Sequence, residues 1–165
     1  MILGMSTSTF TIIHVIISLI GIFSGFVVLF GLLSAHRLAG WTALFLATTV
    51  LTSATGFLFH SPFGPAHVVG IISLVVLAVA LFALYGSHLA GAWRWIYVVT
   101  ALLALYLNVF VGVTQAFQKL SFLQPLAPTQ SEPPFIIAQV VVMAIFVVLG
   151  FLSIRSFHPA LKASA

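Results

Sequence analysis

The chain has 165 residues, 62% hydrophobic and 4% charged, with a mean hydropathy of +1.32 and a formal net charge of +4. Soluble domains carry roughly 25% charged residues, so five basic residues and one acid cannot cover a 17.7 kDa globule in water, and the expected solvent is lipid. Glu132 is the only carboxylate and there is no cysteine, which excludes paired-carboxylate catalysis, Ser-His-Asp triads, thiol chemistry and disulfides.

Five apolar runs are each long enough to cross a hydrocarbon core ~30 Å thick at ~1.5 Å per helical residue. They cover about 10–33, 41–60, 66–86, 94–117 and 135–154 and predict an all-α transmembrane bundle of five spans, one domain over 1–165. The runs are continuously apolar, whereas a membrane strand alternates. The opening residues MILGMSTST carry no Lys or Arg, and the run that follows is longer than a signal peptide's apolar core of ~7–15 residues, so it reads as a retained span. The segment SAHRLAG (34–40) separates the first two spans. SPFGPA (61–66) predicts a tight helical hairpin, and GSHLAGAW (86–93) a short turn. The stretch 118–134 is a Pro-rich loop in which Pro125, Pro128, Pro133 and Pro134 forbid a continuous helix. Ser131 is the expected cap of the fifth helix, with Glu132 at the positive end of its dipole.

Positive charge sets the orientation. With the N-terminus outside, Arg37, Arg94, Arg155 and Lys162 fall inside, and Lys119 and Glu132 fall outside. The expected arrangement is N-out with a cytoplasmic C-terminus.

Small residues recur at helical spacing. His14, Ser18, Gly21 and Gly25 share one face of the first span, and Thr49, Ser53, Gly56 and His60 one face of the second. Thr100, Ala104, Asn108 and Gly112, with Gln115 nearby, do so on the fourth, and Gln139 and Gly150 on the fifth. Gly21, Gly25, Gly56 and Gly112 are expected to mediate helix packing.

Taking each helix midpoint as the bilayer centre, ~1.5 Å per residue puts His14 roughly 11 Å toward the outside, His60, His67 and Gln115 roughly 14 Å, Gln139 about 8 Å and Asn108 about 4 Å. Polar groups at such depth are functional candidates. His36, His88 and His158 lie beside arginines at the inner boundary, with Trp41, Tyr85, Trp93, Trp95 and Tyr97 as an aromatic belt.

The near-absence of ionisable groups favours a non-enzymatic accessory or ligand-binding bundle whose outer half holds the layer of His14, His60, His67, Asn108, Gln115 and Gln139. Its expected partners are the lipid bilayer and a membrane-protein partner or second copy. Nucleic acid is excluded for want of a clustered basic face. The composition calls for no cofactor. The one these histidines admit is haem b, held by His14 with His60 or His67 in a single-haem electron carrier. His67 and His88 lie about 31 Å apart along one helix, too far for two haems in one membrane. A small transporter or channel is a further alternative, against which stands the lack of charge and proline inside the spans. A metal held by the three histidines, or a nucleophile made by Ser61 beside His60, is weaker still, because neither convergence nor an orienting carboxylate is evident.

The stretches LTSATGF (51–57), LAGAWRWIYVVTALLALYLNVFVGVTQAFQK (89–119) and APTQSEPPF (127–135) resemble those of a group of small uncharacterised bacterial multi-pass inner-membrane proteins. The similarity extends over most of the chain. It implies a bacterial inner-membrane setting and carries over no functional residue.

Overall fold

The computed structural model describes residues 1–158, so Lys162 lies outside the described residues. Five α-helices follow one another: α1 (Thr7–Leu33), α2 (Ala39–Gly56), α3 (Pro65–Leu81), α4 (Trp93–Lys119) and α5 (Pro133–Ser156). A single π-helical turn, Phe82–Gly86, extends α3, and a short 3₁₀ turn, Gln124–Leu126, lies in the long loop. Four helices are long and apolar enough to cross a membrane: α1, α3 with its π turn, α4 and α5. The fifth, α2, has 18 residues and carries Thr42, Thr48, Thr49, Thr52, Ser53 and Thr55, which lower its hydropathy.

The helix starts follow local chemistry. Ser6 caps α1, its hydroxyl accepting from the Thr9 N–H at 3.1 Å. Pro65 opens α3, and Pro133 and Pro134 open α5, where the missing N–H costs nothing. The expected cap of α5 is shifted by one residue. Glu132 occupies the N-cap position, and its carboxylate turns back to accept from the Thr129 and Ser131 N–H groups. The second helix ends at Gly56, four residues earlier than expected, and the hairpin runs from Phe57 to Gly64. The reason is aromatic: Phe59 folds back onto Phe10 and His14, with ring centroids 5.1 and 5.2 Å apart. His60 is therefore on the hairpin and leaves the helical face assigned to it.

Successive helices are antiparallel. The pairs His14–Thr55 and Gln139–Phe110 fix the register of α1 on α2 and of α5 on α4, and Asn108–Thr49 ties α4 to α2. Helices α1 to α4 close a four-helix bundle in which α1 meets both α2 and α4, and α3 meets α2 and α4. Helix α5 lies outside, against α4 and α1, and only 6% of its most apolar stretch is buried. Its buried residues, Gln139, Phe146 and Ser153, fall every seventh position and form one narrow seam.

One end of the bundle carries the N-terminus, the 57–64 hairpin and the 120–132 loop, and is called the loop end here. The other carries Arg37, Arg94 and Arg155 and is called the arginine end. The apolar core sits toward the arginine end. It joins Val28, Leu29 and Leu32 of α1 with Phe45 and Leu46 of α2, Leu77 of α3 and Val98 of α4. Arg94 latches this end: its Nη1 donates to the Ile154 and Phe157 carbonyls, both at 2.9 Å, and so caps the C-terminus of α5. Tyr97 is corrected from belt to core, being 1% exposed and set against Phe157. Trp41, Tyr85 and Trp95 are exposed as expected, whereas Trp93 is half-buried against Phe82. Large apolar side chains such as Ile16, Phe23, Val75 and Val147 face outward, the reverse of a water-soluble surface.

Candidate functional site

Three helices meet most closely at Gly25. A Cβ there would lie 2.5 Å from Leu105 Cδ1 and 3.0 Å from the Phe45 ring. One turn nearer the loop end, a Cβ on Gly21 would sit 3.3 Å from Thr48 Oγ1 and 3.6 Å from Asn108 Nδ2. Both glycines are buried and pack α1 within its own chain against α2 and α4.

Above this seal the packing stops. No residue is buried over 11–20 of α1, over 65–72 of α3 or over 106–116 of α4. A cavity of ≈ 490 Å³ fills the space, walled by α1 to α4 and the hairpin. From Asn108 to Lys119 its wall follows α4 for roughly 16 Å at ~1.5 Å per residue. Thr52, Ser53, Ser73 and Asn108 lie at the floor. His14, Ser18, Gly56, Gly70 and Gly112 line the middle, and Thr11, Phe59, His67, Gln115 and Lys119 the mouth. Gly56 and Gly112 are not close-packing positions. Added Cβ atoms would meet only His14 Cε1 at 3.9 Å and Ile22 Cδ1 at 3.6 Å, so these glycines leave room.

At the floor, Asn108 Nδ2 donates to Thr49 Oγ1 at 3.2 Å and ties α4 to α2. In lipid such a bond is worth ~0.6–2 kcal/mol. Its Oδ1 has no hydrogen-bond partner among the described residues. Ser53 and Ser73, 9% and 4% exposed, line the floor and have no hydrogen-bond partner. Thr52 Oγ1 is buried and equally unpartnered.

His14 is the best-defined side chain of the wall. Its Nδ1 lies 2.8 Å from Thr55 Oγ1. The Thr55 hydroxyl already donates to the Leu51 carbonyl at 2.6 Å. Its oxygen must therefore accept, so Nδ1 carries the proton and Nε2 holds an unshared lone pair. That Nε2 has no protein partner and is not sealed in. His67 has the opposite tautomer. Its Nδ1 accepts from the Gly64 N–H at 3.2 Å, leaving Nε2 protonated as a donor. The His67 ring is sandwiched by Phe63 and Phe57, with centroids 5.3 and 5.7 Å away.

The structure thus gathers His14, His67, Asn108 and Gln115 at one cavity and leaves two expected members outside it. His60 is exposed on the hairpin and does not line the cavity. Gln139 lies on the far side of α4, where its Nε2 donates to the Phe110 carbonyl at 3.1 Å and Thr114 Oγ1 at 3.3 Å. Its Oε1 is buried without a partner. Ser61 lines the mouth while its neighbour His60 does not, so they form no catalytic pair. Among the described residues no three His or Glu side chains could hold a metal.

The donor set also fails the haem test. Iron takes a histidine through an unprotonated nitrogen, and in His67 the free nitrogen is the protonated one. With His60 elsewhere, His14 has no histidine partner fit for bis-His ligation. A through-channel is opposed by the seal at Gly25, Phe45 and Leu105, which closes the cavity beneath Asn108.

Lys119 is the only charged residue lining the cavity, and among the described residues it forms no ion pair. Glu132 is engaged in its own loop, accepting from the Thr129 hydroxyl at 2.8 Å and the Ser131 N–H at 3.1 Å. The Thr129 hydroxyl holds its carboxyl below the ordinary value of 4.5, with the loop N–H groups adding to the effect.

Sequence reasoning missed Thr55, which sets the tautomer of His14, and Ser73, which completes the floor. The signal for Thr55 was the density of Ser and Thr in α2; nothing comparable marked Ser73 on α3. No protein-family model, curated protein or solved structure matches the chain, so its function is read from the fold and the cavity.

Proposed function

We propose that this protein is a membrane-embedded binding protein that holds a small amphipathic ligand in the cavity between α1 and α4. The observation behind this reading is a dead-end cavity of ≈ 490 Å³ lined by polar side chains that lack protein partners. Small-molecule sites run to ~300–1,000 Å³ and combine apolar walls with a few placed polar groups. The cavity has no carboxylate in its lining, and its histidines come without an orienting acid. This favours binding over catalysis.

All five helices span the bilayer in this reading. The buried Thr42, Thr48, Thr49 and Ser53 turn the polar face of α2 inward, and Leu44, Ala47, Leu51 and Ala54 turn outward. Its 18 residues give ~27 Å, close to a core ~30 Å thick. Arg37, Arg94 and Arg155 at one end put that end in the cytoplasm and the N-terminus outside. The sequence resemblance to bacterial inner-membrane proteins supports the inner membrane as its setting.

Two experiments test this. In the cysteine-free chain, Ser121→Cys should react with a membrane-impermeant maleimide added to intact spheroplasts and Ala90→Cys should not. The reverse pattern overturns the orientation. Native mass spectrometry of the chain released from its membrane should show a co-purifying small molecule that Gly112→Leu, which fills the cavity, loses. Equal ligand content in both overturns the binding reading.

A further inference from the structure

We infer that the ligand engages the cavity through a hydroxyl group on an apolar ring, a compound of the phenol class. This rests on the binding reading and adds the chemistry of the head group.

The first observation is the tautomer of His14. Thr55 fixes the proton on Nδ1, so Nε2 meets the cavity as an acceptor. A ketone or ether oxygen placed there faces another lone pair, whereas a hydroxyl donates to it. A protonated amine also donates, but Lys119 is the cavity's only charge and no carboxylate balances a second cation.

The second observation concerns the hydroxyls. In this chain helical Ser and Thr usually bond back to their own helix, as Ser18 does to His14 O at 2.7 Å and Ser24 to Ile20 O at 2.7 Å. Thr48, Thr55, Thr100 and Thr114 do the same. At the floor the pattern breaks, as it also does at Ser153 on the seam of α5, away from the cavity. Ser53 and Ser73 are more than nine-tenths buried, line the cavity and have no partner. Buried polar groups in native proteins are almost always satisfied. Their hydroxyls are therefore available to donate to the oxygen of a bound molecule whose own O–H is given to His14. The rings of Phe57 and Phe59 in the wall suit a flat apolar body.

The test uses the full chain in phospholipid nanodiscs, with empty nanodiscs as the blank. The probes are 2-naphthol and its methyl ether, 2-methoxynaphthalene, which share shape and differ in the O–H. Wild type should bind naphthol saturably and the ether at least ~10-fold more weakly, the loss of one hydrogen bond. His14→Phe should bind both with equal affinity. Equal binding of the two by wild type overturns the hydroxyl assignment and leaves the cavity a binding site. A preference that persists in His14→Phe overturns the role of His14. Saturable binding of neither overturns this inference and counts against the binding reading with it. A second readout needs no variant. In ¹⁵N-histidine-labelled protein, His14 Nδ1 should be protonated and Nε2 bare, with the Nε2 resonance moving on naphthol addition. A protonated Nε2 overturns the inference outright.

Discussion

At the arginine end, Gly25 lets α1 approach until a single added carbon would lie 2.5 Å from Leu105. At the loop end, Gly56 and Gly112 face space in which the same carbon meets nothing nearer than 3.9 and 3.6 Å. The residue type and the helical spacing are the same, yet one glycine closes the bundle and the others hold it open. Small residues on a membrane helix mark where backbone must be bare. Whether a neighbouring helix or a cavity fills the gap depends on the partner side chain. Gly25 faces Leu105 and Phe45, while Gly56 faces the edge of a histidine.

The contrast is broken most directly by enlarging both kinds of glycine. Gly25→Leu forces α1 away from α2 and α4, and overpacking of this kind costs ~1–3 kcal/mol and in the tightest sites more. Its thermal unfolding midpoint in detergent should fall well below wild type. Gly112→Ala meets only ordinary contact and should leave stability intact or raise it by ~0.5–1 kcal/mol, the helix-propensity gain of Ala over Gly. A Gly112→Ala as damaging as Gly25→Leu would mean the loop end is closed too.

The next effect belongs to the latch. Arg94→Met keeps the length of the side chain but removes the donor to the Ile154 and Phe157 carbonyls. Bonds from a charged donor are worth ~1.5–3 kcal/mol. The loss should appear as faster amide exchange over the last turn of α5, with Arg94→Lys intermediate. Unchanged exchange in Arg94→Met would show that the seam of Gln139, Phe146 and Ser153 holds α5 without the latch.

Asn108→Leu sharpens the floor of the cavity. It deletes the bond to Thr49 and places an apolar group beside Ser53 and Ser73. Stability should drop by ~0.6–2 kcal/mol, visible as a lowered unfolding midpoint. The packed end, which begins one turn away at Leu105, should keep its exchange protection. Loss of protection there as well would make Asn108 part of the core.

Much of this architecture is already present in the sequence pattern. Run length and apolar continuity predict five spans. Five helices stand at those places, four of them long and apolar enough to cross a membrane. Their edges hold to within four residues once the π turn is counted with α3. Depth arithmetic placed His14, His67, Asn108 and Gln115 in one half of the bundle, where a single cavity touches all four. What it could not supply was azimuth. Gln139 sits at a comparable depth but faces the other side of α4, because α5 lies outside the four-helix ring. His60 was misplaced for a different reason: Phe59 finds a better contact on Phe10 and His14 than one more helical turn would give. The neighbours Trp93 and Trp95 place Tyr97 in an interfacial belt, yet it turns inward to Phe157. Helix neighbours are a property of three dimensions, and a helical wheel drawn for one chain segment does not contain them.

The smallest effect is confined to the long loop and concerns its one acid. Glu132 accepts from the Thr129 hydroxyl, the Thr129 N–H and the Ser131 N–H, and the hydroxyl bond comes first in holding its carboxyl below the ordinary 4.5. A carboxyl whose folded value lies below its unfolded value contributes order that is fully present above the unfolded value. That order is lost as pH falls through the folded one. The loop should therefore stay clamped at neutral pH and loosen only on acidification below about 4.5, first where Thr129 and Ser131 donate their amides. Amide exchange or proteolytic nicking between 120 and 132, followed from pH 6 to pH 3, should rise over that window in wild type. Glu132→Gln should be nicked faster throughout and show no inflection. An inflection retained in Glu132→Gln would assign the acid response to another group.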